Sequence, residues 1–238
     1  MASTQSWVDA LNIYRKVEYT SISTPLTYSR IKELGLKTVR WETFYSESKE
    51  KIIESSRGFI DKYGSSLFIW DPKRLDKRLK KGFLFGVKDY KKIHQLFLKR
   101  PSIIENYDFL ITTLISGVNE GFVGSLHSDG NGRILCETLH IPKVCLHPEL
   151  SRSVKPSNKN LDFFVADEWS FRRGKIPRLG LRRAKGLIKE FSDKKGYFEF
   201  SYGSHLGKVG VYSIGLEDGE LFRFPDLLHE SILVGNVT

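Results

Sequence analysis

The stretch Asp108–Leu139, DFLITTLISGVNEGFVGSLHSDGNGRILCETL, decides how the rest of the chain is read. Two apolar runs, Phe109–Ile115 and Phe122–Leu126, are separated by Ser116-Gly117 and Asn119–Gly121. A third, Ile134–Leu139, follows Asp129-Gly130-Asn131-Gly132. The pattern predicts strand, turn, strand, tight turn, strand. Asp-Gly and Asn-Gly supply the positive φ angles that a short hairpin connection demands. Leu126, Ile134 and Cys136 are expected to share a sheet with Phe122, while His127, Arg133 and Glu137 fall among the more polar positions. Read alone, the stretch is a structural β-meander.

Its flanks carry strands and helices in a definite order. Upstream, Ser46–Tyr63 places Ile52, Ile53, Ser56, Phe59, Ile60 and Tyr63 on one helical stripe, with Ser46 or Ser48 as N-cap and Gly64 just past the end. Ser66–Trp70 (SLFIW) reads as a strand stopped by Asp71-Pro72. A Lys/Arg-rich connector follows, then the strand Phe83–Val87 and the helix Tyr90–Leu98, capped by Asp89. Earlier still, Trp7, Leu11 and Tyr14 are helically spaced, Tyr28–Leu34 is a second short helix after a break at Thr24-Pro25, and Lys37–Trp41 is a short strand.

Downstream, Ile141–Asn160 lacks periodicity and reads as a long surface loop or flap. Phe163–Trp169 is a strand ending in acidic residues, and Arg172–Gly180 is basic and broken. Leu181, Ala184, Leu187, Ile188 and Phe191 then form the apolar stripe of a helix with Arg182, Arg183, Lys185 and Lys189 opposite. A second β unit closes the chain: Tyr197–Tyr202, a glycine-bearing loop over Gly203–Lys208, Val209–Ile214, a turn at Glu217–Gly219, and Leu221–Phe224.

The 238 residues, 40% hydrophobic and 13% aromatic, suffice for a substantial core. No apolar run approaches the ~20 residues of a membrane span. The start, MASTQSWVDA, lacks a secretory pattern, so the cytoplasm is the expected compartment and no membrane partner is expected. Cys136 and Cys145 read as core thiols. The net charge of +10 favours polyanionic partners. It concentrates in two blocks, Lys73–Lys99 and Arg172–Lys195.

Taken together, the order of elements over roughly Ser66–Pro225 resembles the ATP-grasp superfamily. SLFIW, the Lys73–Lys81 loop, FLFGV, the Tyr90–Leu98 helix and DFLITTLISG follow its strand, phosphate-covering loop, strand, helix, linker strand. GFVGSLHSDGNGRILCETL is similar to its hairpin. GYFEFSYG and GVYSIGLEDGELFRF are similar to its metal-carboxylate strand and the next one. The resemblance implies an α+β fold of two α+β subdomains with a nucleotide cleft between them. The corresponding segments are an N-terminal helical or mixed segment (1–65), a small subdomain with the basic loop (66–107), and a larger subdomain with the hairpin and C-terminal strands (108–238).

The resemblance also implies a Mg-ATP-dependent ligase or phosphotransferase acting on a carboxylate or similar acceptor, small or macromolecular. Thr112, Thr113, Leu114 and Ile115 would line the adenine. Lys73, Arg74, Lys80 and Lys81 would neutralise phosphates, and Glu199 with Glu137 would ligate Mg²⁺. The chain departs from the family at three places. Trp70-Asp71 stands where a lysine is usual, Ser201 where an asparagine follows the metal-binding Glu, and the linker lacks its glutamate.

Other readings come from the residues themselves. His205, in YGSHLGKVG, has glycines on both sides that permit close ligand approach. His127, His140, His147 and His205 have no Ser or Asp at triad spacing. Asp162, Asp167 and Glu168, with Lys175 downstream, form a nuclease-like acidic cluster. The rival class is a non-catalytic nucleic-acid-binding protein. For it speak the two basic blocks and Phe163, Phe164, Trp169 and Phe171 beside Arg172 and Arg173.

Overall fold

The structure is a computed structural model, described here for residues 24–73, 79–140 and 161–218. Trp7, Leu11, Tyr14, Arg74, Cys145, His147 and the segments Ile141–Asn160 and Leu221–Phe224 lie outside the described residues. The chain is α+β, with two antiparallel sheets and helices.

The smaller sheet has four strands. These are β1 (Trp41–Phe44), β2 (Ser66–Pro72), β3 (Gly82–Val87) and β4 (Tyr107–Thr113), in the spatial order β1-β4-β2-β3. Helices α2 (Lys49–Tyr63) and α3 (Lys91–Lys99) cover one face. The preceding helix, α1 (Thr24–Glu33), and the single turn α4 (Ile103–Asn106) complete this half.

α2 forms where the apolar stripe predicts it, with Ile52, Ser56, Phe59 and Ile60 buried. Its first turn is three residues shorter than expected because Ser48 is the N-cap: its Oγ accepts the Lys51 N–H at 3.3 Å. Gly64, at φ 80°, ends it. Phe68, Trp70 and Phe109 point into this helical side, where Phe68 stacks on Phe109 at 5.7 Å and Phe97 meets Phe109 edge-on at 5.2 Å. Leu67, Ile69 and Leu110 point the other way. Burial on both faces is why SLFIW is continuously apolar rather than alternating.

β2 runs on through Asp71-Pro72, which the sequence reading took as its stop. Pro72 is tolerated because of the direction of its nitrogen. The next N–H, of Lys73, donates to Asn106 O at 2.9 Å on the β4 side, so the proline nitrogen points toward β3. There β3 begins only at Gly82, opposite Trp70.

The larger sheet has six strands: β5 (Phe122–Asp129), β6 (Ile134–His140), β7 (Leu161–Asp167), β8 (Ser170–Lys175), β9 (Lys195–His205) and β10 (Lys208–Asp218). Their order is β10-β9-β5-β6-β7-β8. Helix α5 (Gly180–Phe191) lies on one face through Ala184, Leu187, Ile188 and Phe191, against Phe122, Leu126, Ile134, Cys136, Phe164, Phe198 and Phe200. Burial pushes the Cys136 thiol well up, as a core thiol requires.

Several strand expectations change. Asp108–Leu139 is not one meander, because β4 belongs to the small sheet and the β5–β6 hairpin to the large one. The small sheet and its helical cover draw on residues either side of positions 65 and 107: β1 and α2 precede the first, and β4 runs from Tyr107 past the second. β8 is a full edge strand where the sequence reads as broken. It follows a tight turn in which Glu168 and Trp169 both take positive φ, and it keeps Gly174 because a Cβ there would lie 2.4 Å from Phe163 O. The loop expected over Gly203–Lys208 is mostly strand, reduced to a turn at Leu206-Gly207. Lys37–Trp41 likewise makes one parallel bridge, Thr38 to Ser213, before β1 starts at Trp41.

The element order expected from the resemblance is otherwise the order observed from β2 to β10.

Candidate functional site

The two sheets meet through a third core. Leu67, Ile69, Leu110 and Ile115 pack on Val123, Tyr212 and Ile214, with Phe85 and Leu139 at the margin. The cross-strand registers then place side chains on the large-sheet face that turns toward the small sheet. Leu139, Val123, Ser201 and Tyr212 form one row, in contact with that core. The next row along the same face is Glu137 (β6), Ser125 (β5), Glu199 (β9) and Gly215 (β10). Side chains two apart on a strand share a face, so this polar row lies directly beyond the inter-sheet contact.

The row is held in place. Ser125 Oγ donates to Glu137 Oε1 at 2.8 Å, and both residues are buried. Glu199 is half-buried, its Oε1 3.4 Å from the Tyr197 hydroxyl. Its carboxylate lies over Gly215, where a Cβ would stand 2.8 Å from Oε2. Two strand spacings put the Glu137 and Glu199 Cα atoms ~10 Å apart. Two carboxylates and a hydroxyl are hard oxygen donors, the set Mg²⁺ uses when it takes few protein ligands and completes its shell with phosphate and water. The residues present therefore fit Mg²⁺. Among the described residues no group of three or more metal-ligating side chains occurs.

The connection between the sheets runs from Thr113 to Ser116. Thr112 and Thr113 sit in β4 with β1 and β2 on either side, and the Thr113 N–H donates to Arg40 O at 3.0 Å. Their backbone edges are thus engaged within the small sheet. Ser116 bridges Ser204 through reciprocal bonds of 2.8 and 2.9 Å.

His205 is a strand residue, not a loop residue, which corrects the reason for singling it out. Its Nε2 lies 2.7 Å from Thr113 Oγ1, joining the end of β9 to the end of β4. Burial, and then the Arg40 guanidinium, hold its imidazole below its ordinary pKa.

The expected phosphate-binding cations divide. Lys80 and Lys81 are exposed just before β3. Lys73 is engaged elsewhere: its Nζ donates to Ile104 O at 2.9 Å and its charge acts on Asp108, whose carboxyl burial nonetheless pushes up. Trp70 turns its indole into the helical core over Gly82, where a Cβ would be 2.3 Å from the ring.

The nuclease-like cluster dissolves. Asp162 is 1% exposed and its Oδ2 accepts the N–H groups of Arg178 and Leu179 at 3.0 and 2.6 Å, with His140 Nε2 at 3.4 Å. It anchors the entry to α5, while Asp167 and Glu168 are exposed at the β7–β8 turn. Two of the aromatics counted for base stacking, Phe164 and Phe171, pack in the α5 core, and Phe163 is half-buried. Trp169 is exposed.

Sequence reasoning singled out Glu137 and Glu199 but missed Ser125 between them, and Thr113 as the partner of His205. Both omissions are matters of register between distant strands, which no local pattern encodes.

No family model matches the chain, and no curated protein matches it. Solved structures do. The D-alanine-D-alanine ligase from Coxiella burnetii is similar over 89% of this chain and 52% of its own, at 14% identity and TM-score 0.41. The N5-carboxyaminoimidazole synthetase from Staphylococcus aureus, complexed with ADP, is similar over 86% and 45%, at 14% identity and TM-score 0.43. The D-alanine–D-alanine ligase from Bacillus anthracis, complexed with ATP, is similar over 82% and 53%, at 11% identity and TM-score 0.38. This chain thus spans about half the length of these three proteins.

Proposed function

We propose that the chain binds Mg-ATP between its two sheets and acts as an ATP-dependent ligase or phosphotransferase toward a carboxylate or similar acceptor. The observation that carries this reading is the row Glu137, Ser125, Glu199. It is a line of hard oxygen donors on the large-sheet face beyond the inter-sheet core, with Lys80 and Lys81 on the small-sheet strand entry and the hinge, Thr113–Ser116, at the far end of β9. Mg²⁺ bound there would neutralise charge on the β- and γ-phosphates. Glu199 would ligate it, kept in position by Tyr197 and by the space over Gly215. Glu137 would be oriented by the Ser125 hydroxyl. Leu114 and Ile115 would meet the adenine, and Lys80 and Lys81 would cover the phosphates. Chemistry of this kind consists largely of positioning and charge neutralisation, which these residue types supply.

The test is thermal melting with Mg-ATP. At ligand 100-fold above its dissociation constant the native state gains about 2.7 kcal/mol. The wild type should melt higher with millimolar Mg-ATP than without, and Lys80→Ala with Lys81→Ala should blunt the shift. No shift at millimolar nucleotide overturns the reading.

A further inference from the structure

A concave site lies at the opposite end of β9 from the polar row. It is a cavity of about 990 Å³ between β1, the outer side of α2 and the β9–β10 hairpin. Lys32, Lys37, Arg40, Lys62 and Lys208 line it, against the single carboxylate Glu42. None of these five cations lies within ion-pair distance of a carboxylate among the described residues; Lys37 acts at longer range on Glu190, which leaves four facing only Glu42. Gathering five like charges around one cavity is unfavourable unless solvent or a counter-anion screens them, and concave walls strengthen the field they share.

Apolar surface complements the charge. Trp41, stacked on Tyr28 at 5.6 Å, and Tyr63, with the Lys62 ammonium 5.2 Å from its ring centre, form part of the wall. Such rings suit flat or apolar parts of a ligand whose charged groups meet the cations.

The position is as informative as the charge. Lys62 and Arg40 belong to the small-sheet half or the segment leading into it, and Lys208 to the hairpin of the large sheet. His205, which joins the two halves through Thr113, is also in the wall. The site is remote from the polar row: Glu199 and His205 are six residues apart on β9, ~20 Å at the strand rise. It is therefore not the place where a phosphoryl group on the row would be transferred.

We propose that this cavity is a separate anion site for a ligand carrying two or more adjacent phosphate groups, and that its occupant ties the two halves together across the hinge. A bound phosphate chain replaces repulsion between Lys62 and Lys208 by attraction of both to one anion. Differential binding of this kind biases the hinge in favour of whichever arrangement brings the cations closer. Free oligophosphate and the backbone of a short single-stranded nucleic acid present the same chemistry.

The experiment is calorimetric titration with tripolyphosphate in EDTA at low salt. It uses the whole chain and three variants: Lys62→Glu, Lys208→Glu, and Lys80→Ala with Lys81→Ala. Lys62 and Lys208 are exposed, so reversal leaves the cores intact, and circular dichroism of each variant checks this. Wild type should bind, and each reversal should weaken binding at least tenfold. The Lys80/Lys81 double variant should keep hinge-cavity binding within about twofold, which separates this proposal from the nucleotide reading. An oligothymidylate arm identifies the source: competition with tripolyphosphate means a nucleic-acid backbone enters the same cavity, and its absence restricts the site to free oligophosphate. No tripolyphosphate binding at millimolar concentration overturns the proposal, as does binding abolished by Lys80→Ala with Lys81→Ala but indifferent to both reversals.

Discussion

At the scale of single residues, polar groups inside this protein are placed by partners far away in sequence. Asp162 has three such partners, Arg178, Leu179 and His140, which turn an apparent catalytic carboxylate into a structural anchor. A buried acceptor stripped from two N–H donors leaves both unsatisfied, so its role is stability rather than chemistry. His205 is the more consequential case. Its folded-state pKa lies below the ordinary 6.5, chiefly through burial and secondarily through Arg40. Well above pH 6.5, from about pH 7.5, the imidazole is neutral in both folded and unfolded chains and contributes no pH dependence. As pH falls through that ordinary value, the unfolded chain takes up a proton that the folded one, with its lowered pKa, takes up only at lower pH. Stability is lost until the lowered folded pKa is passed, where the loss levels off. Replacing the ring with a neutral amide that can still reach Thr113 Oγ1 removes this component alone. The stability of wild type relative to His205→Gln is therefore expected to decline between pH 7.5 and pH 5, measured by urea unfolding at each pH. Parallel pH profiles would show that His205 does not refuse the proton.

Elements were legible to the extent that their signals are local. The Asp129–Gly132 hairpin is an example, because Asp129 Oδ1 accepts the N–H groups of Asn131 and Arg133 at 2.8 and 3.0 Å and Gly130 and Gly132 take φ of 79° and 99°. The same holds for α2, whose stripe, cap and terminal glycine all lie within the helix and its flanks. β8 was invisible because its turn is built from Glu168 and Trp169, residue types that rarely take positive φ, and its Arg-rich sequence reads as solvated. The row Glu137–Ser125–Glu199 was half legible: alternation in YFEFSY put Glu199 opposite its aromatic neighbours, but pairing with β5 had to be seen. Gly174 shows how firmly the missed strand is nonetheless specified. An added Cβ would lie 2.4 Å from Phe163 O and 2.6 Å from Phe164 Cβ, so β8 must move off β7. Gly174→Ala should lower stability by about 3 kcal/mol, typical of overpacking with backbone displacement. Denaturant unfolding reads this directly, and a change below about 0.5 kcal/mol, the range of an unconstrained surface site, would contradict the close β7–β8 approach.

For the whole molecule, the decisive feature is the core between the sheets. Leu67, Ile69 and Leu110 of the small sheet bury against Val123, Tyr212 and Ile214 of the large one, so neither sheet completes its burial alone. The covalent connection through Thr113–Ser116 is short and pinned by Ser204 and His205, which restricts bending to the few residues beyond β4. Two sheets joined this way separate only as far as the shared core permits, and they should unfold together. Ile69 is 3% exposed and central to that core. Ile69→Ala is expected to destabilise by about 2 to 5 kcal/mol, the range for deleting a buried aliphatic side chain. The distribution of the loss is the sharper measurement. If the sheets are one cooperative unit, native-state hydrogen exchange of the slowest amides should fall by the same free energy in β2 and β4 as in β6 and α5, although Ile69 belongs to neither of the latter. Loss of protection confined to β2 and β4 would mean that the halves open independently, and that the inter-sheet core guides their closure without locking it.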